Sequence, residues 1–172
     1  MVELETISIL LTSVGMIIAL SYYALTIRNQ NRTRQAQLLM DLYETYRSPG
    51  FRKQQQEIFN LEWTDYEDFW EKYGGQNNPD TWANWLSAAG FYNGIGVLLK
   101  RKMLDIDLVE ELLSNITLVS WDRMGPILKG WRESPLRFGA HTRSSKYDLM
   151  SGFEYLYNEM RQRDRQYSEL KT

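Results

Sequence analysis

Residues 6–27 form a run of 22 without a charged side chain, most of them Ile, Leu, Val, Met, Ala or Tyr. Coiled as an α-helix at 1.5 Å per residue, such a run is about 33 Å long, enough to cross a hydrocarbon layer of about 30 Å. A soluble chain of 172 residues would have to enclose this helix in protein on every side, which few domains of that size can do. A secretory signal has a basic leader, a shorter apolar core and a small-residue cleavage site. Here the leader carries Glu3 and Glu5 with no cation, and Ser21-Tyr22-Tyr23 is a poor cleavage context. The expectation is a transmembrane helix over residues 6–27, with the lipid bilayer as the first partner.

The flanks set its direction. Arg28, Arg32 and Arg34 follow the span and no basic residue precedes it, so the positive-inside rule puts residues 1–5 outside and everything from residue 28 in the cytoplasm. The expected address is the cell (inner) membrane, crossed once. Tyr22 and Tyr23 fall near the inner end, where amphipathic rings favour the interface. Residues 81–99 are also uncharged, but they include Asn84, Asn93 and three glycines and run directly into Lys100-Arg101-Lys102. A return span would carry those cations outside and bury polar groups in lipid, so a core helix is expected there. The sequons at Asn31 and Asn115 would be silent on the cytoplasmic side.

Composition removes whole classes of chemistry. Twenty Lys plus Arg against 22 Asp plus Glu leaves a net charge of −2, without the basic surplus that nucleic acid demands. No cysteine is present, which excludes disulfides, thiolate nucleophiles and the usual structural zinc sites. The one histidine, His141, sits beside Thr142 and Arg143 in an irregular stretch, with no spacing that supplies a nucleophile or an orienting carboxylate. No nucleotide loop and no nucleophile elbow occurs, and no cofactor is implied. The cluster Asp105, Asp107, Glu110 and Glu111 lacks the spacing and glycine of a calcium loop.

The rest reads as helices. No Gly or Pro interrupts residues 17–46, so the membrane helix should continue as a juxtamembrane extension over 28–47, with Ala36, Leu39, Met40 and Tyr43 on one face. Ser48-Pro49-Gly50 ends it. A bundle is expected over 48–160, and 161–172 reads as a solvated tail. Its first helix covers residues 51–61, with Phe51, Gln55, Ile58 and Phe59 on one side. A short helix follows a Thr64–Glu67 capping box, with Trp63, Tyr66 and Trp70 along its buried face. Asn78-Pro79 opens the most apolar helix, to about residue 103. A fifth should start from an Asp107–Glu110 box and break at Gly125-Pro126, leaving 127–133 as a short sixth. A last helix starts near Lys146. No strand pattern survives. The expected fold is all-α, a transmembrane helix continuing into a cytoplasmic bundle of about six helices.

Two groups of residues stand out as candidate sites. Gly90, Gly94 and Gly96 let another backbone approach closely, as a partner contact or as packing within the bundle. The six tryptophans include Trp82, Trp85, Trp121 and Trp131, which read as packing anchors or as the lining of a ligand pocket.

The stretch Phe91-Tyr92-Asn93-Gly94-Ile95-Gly96-Val97-Leu98-Leu99-Lys100-Arg101, then Asp105-Ile106-Asp107-Leu108-Val109, carries a resemblance. Trp121 with Pro126-Ile127, Phe153-Glu154-Tyr155-Leu156 and the Arg28–Thr33 junction share it. Over most of residues 20–160 the chain resembles an uncharacterised family of small prokaryotic proteins, often with one N-terminal membrane helix, catalogued only as a domain of unknown function. The resemblance implies an all-helical cytoplasmic domain and brings no activity, ligand or catalytic residue. The expected function is non-enzymatic: a membrane-tethered scaffold or adaptor that binds a protein partner or forms a homo-oligomer. The alternative is a small-ligand or lipid-responsive sensory subunit with a pocket among the four tryptophans.

Overall fold

A single helix, α1 (Val2–Arg47), joins the apolar run to the rest of the chain without a break. The computed structural model describes residues 2–134 and 149–169. Within them follow α2 (Pro49–Phe59), α3 (Tyr66–Tyr73), α4 (Pro79–Lys100), α5 (Ile106–Glu133) and α6 (Ser151–Glu169), and no strand occurs among the described residues. The fold is all-α with six helices. Residues 135–148, among them His141 and the expected start of the last helix at Lys146, lie outside the described residues.

Two parts of α1 meet different surroundings. From residue 6 to residue 34 every side chain is exposed save the half-buried Thr26, and Leu11, Ile17 and Leu20 leave more than 60% of their surface uncovered. This is the one helix, among the described residues, long and apolar enough to cross a membrane. From Gln35 onward the same helix becomes part of the bundle. Leu39 is buried, and Leu38, Leu42, Tyr43 and Tyr46 pack against the core.

Local chemistry sets the helix starts. Ser48 Oγ accepts the Phe51 N–H at 3.2 Å and Pro49 occupies the first turn of α2, where its missing N–H costs nothing. Asn78 with Pro79 does the same for α4. Two expected caps move by a residue or two. Asp65, not Thr64, caps α3, and the Asp68 carboxylate reaches back to the Thr64 N–H at 2.9 Å. Asp105, not Asp107, caps α5, accepting from the N–H groups of Asp107 and Leu108. Asp107 is thereby left to pair with Arg163 at 2.8 Å.

The expected break at Gly125-Pro126 is absent, and α5 runs straight through. An interior proline costs roughly 3 kcal/mol. Pro126 lies on the exposed side, while Met124, Ile127, Leu128 and Trp131 around it are buried. Each such burial contributes about 1.5–3 kcal/mol, so tertiary packing outweighs the lost bond. The separate sixth helix expected at 127–133 is therefore the end of α5.

Helix α4 is central. Trp85, Ala88, Ala89, Tyr92 and Ile95 are all but inaccessible, and the uncharged run at 81–99 is a core element. Its packing partner α6 lies so close that Gly96 and Gly152 share the contact: a Cβ on Gly96 would stand 1.8 Å from the Gly152 carbonyl oxygen. The Asn93 side-chain oxygen accepts the Gly152 N–H at 2.9 Å, fixing the register. Just beyond, at its C-terminus, α4 closes with paired bonds, Lys102 N–H to Leu99 O at 2.8 Å and Met103 N–H to Leu98 O at 2.9 Å. This turn holds Lys102 at φ 59°, a left-handed position that glycine usually fills and that costs other residues roughly 1–2 kcal/mol.

These contacts predict opposite effects for two neighbouring alanine substitutions. Gly96→Ala should lower stability by about 1–3 kcal/mol, because backbone cannot yield to a new methyl group. Gly94→Ala meets open space and should raise stability by about 1 kcal/mol through helix propensity alone. Thermal unfolding followed by circular dichroism in detergent distinguishes the two.

Candidate functional site

The four candidate tryptophans do not gather around a common cavity. Trp82 and Trp85 stack on α4 with centroids 5.3 Å apart, and Trp131 of α5 meets Trp82 edge-on at 5.0 Å. Trp70 and Phe69 of α3 complete this group. Trp121 stands in a second cluster, stacked on Tyr157 at 5.2 Å and edge-on to Phe153 at 5.0 Å. All four are buried, and each packs against neighbouring rings. They act as packing anchors that hold α3, α5 and α6 onto α4.

The glycines likewise divide. Gly96 serves packing inside the bundle against α6. Gly90 and Gly94 face away from the other helices, with open space where a Cβ would stand, and share the outer side of α4 with Ala83 and Ser87. Around the apolar part of α1, Tyr22, Tyr23, Arg28, Arg32 and Arg34 are all exposed. No carboxylate pairs with these arginines among the described residues, and residues 6–40 contain no acid.

The acidic cluster has structural work. Asp105 caps α5, while Asp107 and Glu110 both grip Arg163 of α6, with Glu110 at 2.5 Å. Glu110 foremost, then Asp107, holds that guanidinium charged beyond its usual range. Arg123 is a second brace: it donates to the carbonyls of Phe59 and Leu61 and lies over the Trp63 ring, tying the α2–α3 connection to α5.

One cleft was not anticipated. It opens between α2 and α5, holds about 410 Å³, and is bordered by Tyr46, Arg52, Gln55, Gln56, Glu111 and Asn115. Beneath Gln55, one of its lining residues, lies a buried polar group. Gln55 Nε2 donates to the Tyr92 hydroxyl at 2.5 Å and approaches Ser120 Oγ at 3.3 Å, while the Ser120 and Tyr92 hydroxyls bond at 2.9 Å. Arg52 reaches the Tyr46 hydroxyl at 2.8 Å and lies over that ring. Burial pushes the Tyr92 phenol up to about 12, so it stays a neutral hydroxyl across the physiological range. The cleft offers a guanidinium, a carboxylate and carboxamides, which suit binding of a small polar molecule. A glutamine within the apolar stripe Phe51, Gln55, Ile58 was the available signal in the sequence.

These features define an all-helical domain carried on a single helix long and apolar enough to cross a membrane. The chain belongs to the family described as a domain of unknown function (DUF4760), which matches residues 9–160 and so takes in most of the apolar run as well as the bundle. No curated protein and no solved structure matches it. The family resemblance carried by the segments around Gly94 and Trp121 is thus real, and the all-helical domain it implied is present.

Tyr92 gives a pH prediction. Below pH about 10 its phenol is neutral in both folded and unfolded chains, and burial costs nothing in charge. Between about 10 and about 12 the unfolded chain ionises first, so this contribution to stability is lost as pH rises through that window. A Tyr92→Phe variant should be less stable at pH 7 by about 1–3 kcal/mol, since Gln55 and Ser120 lose a buried partner. It should also show a shallower alkaline decline, read by denaturant titration across pH.

Proposed function

We propose that the chain is a single-pass membrane protein that holds its helical bundle at the cytoplasmic face and works without chemistry of its own, as a tethered scaffold for a protein partner or a second copy. The observation that carries this reading is the unbroken α1. A helix exposed through residue 34 and packed from Gln35 gives the bundle a fixed height above the bilayer, unlike a flexible linker. The arginines at 28, 32 and 34, with no cation before the span, support a cytoplasmic bundle. The outer side of α4, smooth at Ala83, Ser87, Gly90 and Gly94, suits close approach by another helix.

A small-ligand sensor is the second reading, and the feature that favours it is the polar cleft between α2 and α5, in place of the tryptophan pocket first expected. Facing Arg52 and Glu111 suit a small zwitterion.

Chemical crosslinking of the full chain in native membranes tests the scaffold. A reproducible adduct is expected, reduced severalfold by Gly90→Leu with Gly94→Leu, while the amount of folded protein stays the same. Monomer alone at every expression level would contradict the reading.

A further inference from the structure

The membrane-near end of the bundle carries a second basic group that the sequence places far from the first. Gln35, where α1 joins the bundle, donates its side-chain N–H to the Lys102 carbonyl at 2.9 Å. This bond brings the α4–α5 turn, with Lys100, Arg101, Lys102 and Met103, alongside the helix that carries Arg28, Arg32 and Arg34. All three cations of the turn are exposed, as is Met103 at 48%. Lys100 also lies over the Tyr155 ring. Of the acids that follow the turn in sequence, Asp105 caps α5, and Asp107 with Glu110 holds Arg163.

Height decides what this turn meets. Gln35 lies eight residues beyond Ile27, about 12 Å along the axis. A headgroup layer occupies roughly 5–8 Å on each side of the hydrocarbon. The turn therefore lies within the Debye length of about 8–10 Å from the lipid phosphates, where basic side chains feel the surface potential. Lys102 occupies a left-handed backbone position at which glycine would be easier.

We propose that the α4–α5 turn docks on an anionic lipid surface, with Arg101 and Lys102 on the headgroups and Met103 entering the interface, so that lipid charge fixes how the bundle sits on the membrane. This rests on the membrane-spanning reading of α1.

The chain has no cysteine, so Met103→Cys gives a single site for an environment-sensitive fluorophore on the full-length protein. The protein is reconstituted in phosphatidylcholine vesicles with or without about 30 mol% phosphatidylglycerol, a charge density typical of anionic leaflets. Expected are a blue-shifted emission and severalfold stronger quenching by a lipid-borne quencher in anionic vesicles only. Both should be lost at about 0.5 M salt. Arg101→Gln with Lys102→Gly should abolish the difference while leaving Tm equal or higher, since glycine relieves the turn. Lys53→Gln with Lys129→Gln, an equal loss of charge elsewhere, should preserve it.

Equal signals in both lipids, from protein that floats with both vesicles, would overturn the docking and leave the span intact. So would loss of the signal in the Lys53 and Lys129 variant, or a blue shift produced in neutral vesicles by inorganic phosphate. Failure to float with either vesicle would overturn docking and span together.

Discussion

A single helix has to satisfy two environments, and the arrangement of the molecule follows from that. Along α1 the demand changes within about three turns, from exposed apolar side chains through an acid-free basic stretch to Leu39 inside the core. Because Gly and Pro are absent from residues 17–46, nothing in the backbone uncouples the two parts. A bundle joined in this way cannot swing freely about the apolar part of α1.

The bundle answers with unusually heavy side chains on short helices. Helix α3 has only eight residues, too few to stand alone in water, and is held by Phe69 and Trp70 against Trp82, Trp85 and Trp131. Helix α6 is held differently, by backbone approach at Gly96 and Gly152 and by Arg132 paired with Glu154 at one end and Arg163 at the other. Between these two modes of packing lies the polar group of Gln55, Tyr92 and Ser120, whose mutual bonds offset the cost of burial.

How far the sequence could be read depends on the range of the interaction. The long apolar helix, its end before Ser48-Pro49-Gly50, the cap at Asn78 and the core character of residues 81–99 are local signals, and they appear where expected. Asp105 and Asp107 are equally good caps by composition; only the pairing of Asp107 with Arg163, 56 positions later in the chain, separates them. Continuity at Pro126 was decided by which side of α5 is buried. The phase of α4 sorted the glycines, turning Gly96 inward and Gly90 and Gly94 outward. The buried group of Gln55, Tyr92 and Ser120 joins residues 37 and 28 positions apart, and no periodicity records such a pairing.

Much of the proposed role depends on where along α1 lipid gives way to water and then to protein. A series of single cysteines from residue 6 to residue 40, probed in intact membranes with a thiol reagent that cannot enter lipid, maps this directly. Three zones are expected: no labelling from residue 6 to residue 27, rapid labelling around Asn29 to Thr33 once the cytoplasmic side is opened, and renewed protection at Leu39. Uniform labelling from residue 6 to residue 27 would refute the span.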